Sequence, residues 1–346
     1  MEKHDELIEA LGALTHDPLA FVYFAYPWGE PGTPLENMEG PDEWQIQILK
    51  DIGEQLKKGK DLQTAIQEAV ASGHGIGKSA LISWLIHFAI STHENTRGVV
   101  TANTEGQLRT KTWPELSKWH NMFIAKDLFT YTATAIFSSD KDYEKTWRID
   151  AIPWSKNSPE SFAGLHNQGN RILVLFDEAS AIDDVIWEVT EGALTDANTE
   201  IIWCAFGNPT RNSGRFRECF RKYRKFWNTY QIDSRTVKIS NKAKIEEWLE
   251  AYGEDSDFFK VRVRGVFPSA SDLQFISTEI ADKAQKRVYK VGQFDNLPTI
   301  IGVDPAWTGG DTLEIVMRNG YHMKCLATIE KNDDDMRMAS LIAQFE

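Results

Sequence analysis

The chain has 346 residues, is 42% hydrophobic and 26% charged, and carries a formal net charge of −13. That length suggests about two domains with ample material for a core, and the negative balance argues against a protein that coats nucleic acid electrostatically. Three widely separated cysteines, Cys204, Cys219 and Cys325, form no zinc or redox motif and fit a reducing cytoplasm. Residues Met1 to Glu6 lack the build of a signal peptide, and the longest apolar run, Ala80 to Ile90, is too short to span a bilayer.

Residues 1–40 form a mixed N-terminal segment with a Pro/Gly-rich loop from Pro27 to Pro34. Asp42 to Lys58 reads as an amphipathic helix stopped at Gly59. An extended, half-apolar stretch from Ile66 to Ala71 leads through a glycine-rich turn into a helical stretch from Ala80 to Ile90. Gly98 to Ala102 is a predicted strand, followed by a helix that Thr104 caps. Trp147 to Ile152, Arg171 to Phe176, Ile201 to Phe206 and Trp227 to Ile232 read as further strands. The alternation predicts an α/β domain with a largely parallel central sheet over residues 41–240. A charged, helical connecting segment is expected over 241–295. A second strand system follows at Thr299–Val303, Leu313–Met317 and Tyr321–Ile329, opening another domain over 296–346.

Between the first predicted strand and its helix lies Ser72-Gly73-His74-Gly75-Ile76-Gly77-Lys78-Ser79. Its glycines let backbone N–H groups wrap a polyphosphate, Lys78 supplies charge to the β/γ-phosphates, and the Ser79 hydroxyl can ligate Mg²⁺. Ser72 stands where the G-x-x-x-x-G-K-[ST] pattern has its first glycine. The apolar run Arg171–Phe176 ends in Asp177-Glu178. Asp177 is suited to hold Mg²⁺ and Glu178 to polarise an attacking water, which predicts ATP or GTP hydrolysis. Gly207-Asn208-Pro209 ends the next buried strand, where Asn208 can report the γ-phosphate state to its neighbours. Gln45 has two readings, an amide on the adenine edge or a glutamine on a helix surface. Seven basic residues crowd positions 211–225 against one acid, Glu218, while Phe216, Phe220, Tyr223 and Trp227 recur at helical spacing. That segment reads either as a solvated helix face or as a phosphate-contacting patch. Asp333, Asp334 and Asp335 read as a solvated loop.

Several runs, taken in order, resemble the large terminase subunit of tailed bacteriophages. They are Trp44-Gln45, the phosphate loop, Val100-Thr101-Ala102-Asn103-Thr104 with Gln107, and Ser158 to His166. Phe176 to Ser180, Gly207 to Thr210, Arg262 to Pro268, and Gly302-Val303-Asp304-Pro305-Ala306 with Gly310-Asp311 complete the set. The resemblance covers the chain from about residue 40 onward. It implies a RecA-like ATPase that drives double-stranded viral DNA into a capsid, followed by a ribonuclease-H-like nuclease. The implied partners are the portal protein, a small terminase subunit and further copies in a ring, in the bacterial host cytoplasm.

The same resemblance matches Gln45 to an adenine contact, Lys78 to the phosphate-loop lysine, Glu178 to the catalytic glutamate, and Gly207-Asn208-Pro209 to the coupling motif. Many relatives carry an arginine where this chain has His74, and some take an arginine from a neighbouring subunit, for which Arg109 and Arg211 are candidates here. Asp304 and Asp311 match acidic positions of the nuclease, whose chemistry needs several carboxylates around two Mg²⁺ or Mn²⁺ ions about 3.5–4 Å apart. Further acidic positions of the family lie beyond Glu346, so the chain is expected to be a truncated form that binds nucleotide and does not cut DNA. A DExx-box helicase-like ATPase and a non-catalytic nucleotide-binding remnant stay open as alternatives.

Overall fold

Arg171–Phe176 is buried along its whole length, as an almost unbroken apolar run requires of a strand covered on both faces. Its side chains alternate between two cores: Leu173 and Leu175 enter one, while Ile172, Val174 and Phe176 enter the other. A computed structural model describes residues 2–58, 65–102, 104–154, 165–196, 198–268, 278–290, 292–294, 296–305, 312–330 and 335–345. The chain divides into two units, Met1–Ser277 and Thr278–Glu346, the division falling within the stretch read as connecting.

In the first unit the strands are β1 (Ile66–Ser72), β2 (Arg97–Thr101), β3 (Phe129–Tyr131), β4 (Ala135–Ser138), β5 (Arg148–Ala151), β6 (Arg171–Phe176), β7 (Glu200–Gly207) and β8 (Asn228–Ile232). They form one sheet in the order β3-β4-β5-β2-β6-β7-β1-β8. Pairing is parallel from β5 across to β8, and antiparallel where β3 and β4 extend the edge. The predicted strands are therefore present, with β3 and β4 added. The parallel arrangement brings the carboxyl ends of β1, β2, β6 and β7 to one edge.

The helices of this unit are α1 (Glu2–Ala13), α2 (Pro18–Ala25), α3 (Glu43–Lys57), α4 (Lys78–Thr92), α5 (Glu105–Gln107), α6 (Trp113–Met122), α7 (Asp184–Ala193), α8 (Arg215–Cys219), α9 (Lys242–Tyr252) and α10 (Asp257–Phe259). Asp42 caps α3 through a reciprocal pair with Gln45, and the Thr104 hydroxyl accepts from Gln107 N at 3.1 Å to cap α5. Helix α4 is apolar all round and buried from Leu81 to Ile90, as a helix enclosed by other elements should be. Its last turn is tied to β6 by the fully buried Arg171. That guanidinium donates to Glu200 at 2.7 Å, to the Thr92 hydroxyl at 2.8 Å and to the Thr15 carbonyl at 2.7 Å.

The helical spacing read over 211–225 holds only for α8. Turns closed by hydrogen bonds such as Arg221 N to Glu218 O replace the helix from Phe220 onward. Arg215 lies 3.8 Å over the Tyr223 ring and pairs with Glu191, and Arg217 lies 4.4 Å over Phe267. Phe216 and Trp227 are buried as the apolar pattern requires, and Arg211, Lys222, Arg224 and Lys225 are exposed.

The second unit contains an antiparallel sheet in the order β11 (His322–Glu330), β10 (Thr312–Asn319), β9 (Thr299–Asp304), with helices α11 (Thr278–Gln285) and α12 (Asp335–Phe345). Leu313 and Ile315 are its fully buried side chains among the described residues. Among those residues, this unit does not repeat the parallel sheet of the first. No helix among the described residues is long and apolar enough to cross a membrane.

Candidate nucleotide site

The phosphate loop is built by a strand, a close approach and a helix start. β1 runs through Ser72, so the position lacking the usual glycine is a strand residue and needs no left-handed backbone. The buried Ser72 hydroxyl donates to the Gly73 carbonyl at 3.0 Å and accepts from Lys78 Nζ at 3.3 Å. Gly73 has no room for a side chain: a Cβ there would sit 2.2 Å from Ser234 Oγ and 2.3 Å from the Val263 carbonyl oxygen. His74 N donates to the Arg262 carbonyl at 2.7 Å, while Ser234 Oγ donates to the His74 carbonyl at 2.8 Å. A wide turn over Lys260–Arg264 thus backs the loop, bringing one of the quoted motif runs onto another. Gly77, with φ +86°, turns the chain into α4.

Gln45 is buried. Its Oε1 accepts from Asp42 N at 2.8 Å and its Nε2 donates to the Gly77 carbonyl at 3.1 Å, so it braces the loop from α3. This placement rules out the helix-surface reading of Gln45.

Asp177 and Glu178 follow β6 at the same sheet edge. The Thr112 hydroxyl donates to Asp177 Oδ2 at 2.6 Å, and Glu178 N donates to Asp177 Oδ1 at 3.0 Å. Burial raises the Asp177 carboxyl above its usual range; the Thr112 bond and Lys78 oppose that rise, and Glu178 adds to it. Glu178 has φ +51°, a left-handed backbone uncommon for a residue with a side chain, in the turn that follows Asp177. From the end of β7, Asn208 Nδ2 donates to the Ser72 carbonyl at 2.6 Å, and its Oδ1 accepts from Lys78 Nζ at 3.5 Å. Gly207, Asn208 and Pro209 are all buried. Burial lowers the Lys78 ammonium, while Glu178 and Asp177 hold it up.

These groups face a cavity of about 900 Å³, lined on one side by His74 to Ser79, Lys111, Asp177, Glu178 and Asn208, and on another by Pro41, Asp42, Gln45 and Ile239. The His74 ring is pushed down to about 4 by surrounding protein and by the charges of Lys78, Arg262 and Lys111, so it is neutral at pH 7. Arg109 pairs with Glu105 at 3.0 Å, and neither Arg109 nor Arg211 lines this cavity. Ser79 and Asp177 both line the cavity, and hard oxygen donors of these kinds suit Mg²⁺ beside a phosphate.

In the second unit Asp304 ends β9 in an exposed position, opposite Glu314 of β10 in the ladder. Asp311 lies outside the described residues, as do Gly59, Asn103, Ser158 to Gly164, Asp333 and Asp334. Among the described residues, no group of three or more His, Cys, Asp or Glu side chains is disposed to hold a metal ion. Sequence reasoning missed Thr112, Lys111 and Ser234, whose roles arise from contacts far along the chain.

A parallel sheet that delivers a glycine loop with its lysine, an Asp-Glu pair and an asparagine to one edge defines a RecA-like P-loop protein. No protein-family profile matches the chain. Over 239 residues it is 25% identical to a probable terminase large subunit of Enterobacteria phage P7, covering 65% of this chain and 47% of that relative. The chain thus spans about half the length of the curated relative it matches. The large terminase of the thermophilic bacteriophage D6E, solved with ADP, shares the fold at a TM-score of 0.50 and 12% identity, over 88% of this chain and 73% of that one. The HK97 bacteriophage large terminase aligns at a TM-score of 0.49 and 12% identity, over 90% of this chain and 67% of that one. The chain is thus similar in sequence to a phage large terminase subunit, the family that the ordered motifs of its sequence resemble.

Proposed function

We propose that this chain is an ATP-hydrolysing motor subunit that translocates double-stranded viral DNA into a procapsid. The observation that carries the reading is the meeting of Lys78, Asn208 and the Asp177-Glu178 pair at one sheet edge, around a cavity large enough for a nucleotide. The backbone N–H groups of Gly75 to Ser79 and the Lys78 ammonium would bind the phosphates, and Gln45, which lines the same cavity, would contact the base. Ser79 and Asp177 would hold Mg²⁺, which supplies neutralising charge to the phosphates when bound. Glu178 would orient and deprotonate the attacking water. Asn208, touching both Lys78 and the end of β1, would transmit the state of the third phosphate to the sheet.

The partners in this reading are double-stranded DNA, the portal protein, a small terminase subunit and neighbouring copies in a ring, within the bacterial host cytoplasm. An arginine from a neighbouring copy, Arg109 or Arg211, would complete the site. Asp304 and Asp311 are proposed as acids of a metal-dependent nuclease site using Mg²⁺ or Mn²⁺.

The test compares ATP turnover by the wild type, Lys78→Ala and Glu178→Gln, each alone, with DNA, and with DNA plus portal-bearing capsids. Stimulation of the wild type by capsids, with both variants inactive, is the expected result. Stimulation by DNA alone would favour a helicase-like ATPase, and one shared background rate for all three proteins would end the catalytic reading.

A further inference from the structure

We propose that Lys111 is a second phosphate-contacting cation of the site, placed to read the terminal phosphate of a bound nucleoside triphosphate. The proposal rests on the nucleotide-site reading above and adds a residue to it. Lys111 belongs to a π-helical turn, Leu108–Thr112, that joins α5 to α6. Such widened turns are uncommon and concentrate at functional sites. Here the turn gives consecutive residues different surroundings: Thr112 is buried with its hydroxyl on Asp177, and Lys111 is exposed and lines the cavity.

Two other basic residues near it are engaged. Arg109 pairs with Glu105 at 3.0 Å, and Lys118 pairs with Glu115 at 3.2 Å. The Lys111 side chain makes no hydrogen bond or ion pair among the described residues, although the chain as a whole carries an excess of 13 negative charges. Lys78 and Lys111 both line the cavity, where an anion would take the charge of each. The charge of Lys111 also reaches the His74 ring and helps to keep it neutral.

Position decides which phosphate Lys111 would meet. The loop after β1 and the start of α4 take the inner phosphates, whereas Asp177 and Glu178 face the reacting end. Lys111 lines the cavity together with His74, Asp177 and Glu178, its charge reaches His74, and the next residue, Thr112, holds Asp177, so the turn that carries it joins the loop to the reacting end. A contact there distinguishes a triphosphate from a diphosphate. Through Thr112 it also connects the nucleotide state to α6.

The experiment measures binding of ADP and of ATPγS, each with Mg²⁺, to the wild type, Lys111→Met, Lys111→Arg and Lys78→Ala. Lys111→Met should weaken ATPγS roughly tenfold or more and ADP by less than about twofold, the range for losing one charge-assisted hydrogen bond. Lys111→Arg should restore most of the ATPγS affinity, and the melting temperature of both variants should match the wild type because the side chain is exposed. Equal weakening of both nucleotides, or no weakening of either, would overturn the assignment of Lys111. Undiminished binding of both nucleotides by Lys78→Ala would instead overturn the nucleotide-site reading itself.

Discussion

The side-chain amide of Asn208 donates to the carbonyl of Ser72 at 2.6 Å, joining the end of β7 to the last residue before the phosphate loop. The same amide's oxygen lies 3.5 Å from Lys78 Nζ. Asn208→Ala would leave the buried Ser72 carbonyl without this donor, at a cost of about 1–3 kcal/mol in a urea unfolding titration. Turnover should fall more than ATPγS affinity does, because the loop keeps its own phosphate contacts. A variant with wild-type stability and turnover would show that the contact is incidental.

Thr112→Val preserves shape and removes the hydrogen bond to Asp177 Oδ2. That bond opposes the rise of the Asp177 carboxyl, so its loss moves the carboxyl further up. The acid limb of the kcat/KM profile should therefore move to higher pH, with turnover at pH 7 reduced about tenfold by loss of one hydrogen bond to a charged group. An unmoved acid limb would separate Thr112 from the chemistry.

Glu68 on β1 is fully buried between Gln55 and Asn228, at 2.8 and 3.1 Å from their amides, and burial raises its carboxyl to about 7. The unfolded chain releases this proton near the ordinary value of 4.5 and the folded chain only near 7, so stability falls as pH rises across that window. The loss should total about 3 kcal/mol between pH 4 and pH 8. Glu68→Gln should flatten this part of the pH dependence and be more stable than wild type at pH 8. Parallel denaturation curves for the two proteins at pH 5 and pH 8 provide the check.

Gly73→Ala and Gly75→Ala should differ. At Gly73 the new methyl meets the Val263 carbonyl at 2.3 Å, so backbone must move, for a loss of about 3 kcal/mol. At Gly75 nothing lies within 4 Å, and only its φ of +68° opposes the change, by about 1 kcal/mol. Chemical denaturation of the two variants gives the order directly; equal losses would mean that the segment behind the loop yields freely.

What could be read from the sequence was whatever carries local periodicity or a fixed motif. β6, the phosphate loop and the cap of α5 at Thr104 fall where local pattern put them, because burial on both faces, tight turns and capping all write themselves into neighbouring residues. The strands β3 and β4 span only Phe129–Tyr131 and Ala135–Ser138 and exist through cross-strand pairing, which leaves no run to detect. Glu68 made β1 look half-apolar, yet its carboxylate is buried because two amides from distant elements receive it. At the site, Lys78, Asp177 and Glu178 belong to a known motif grammar. Thr112 and Lys111 sit in an ordinary-looking Arg-Thr-Lys-Thr stretch whose meaning comes from a tertiary neighbour and a widened turn.

The wide turn of Lys260–Arg264 couples the phosphate loop to a distant stretch of backbone. Any rotation of the Gly73–His74 peptide must break the bond from His74 N to the Arg262 carbonyl or drag that carbonyl with it. Val263 is held in turn by Ser234 N at 2.8 Å, so a hinge at the loop would pull on one short lever of backbone. The turn of Lys260–Arg264 is thus anchored on the first peptide of the phosphate loop, and a displacement of that peptide has a single hydrogen bond to cross before it reaches the turn.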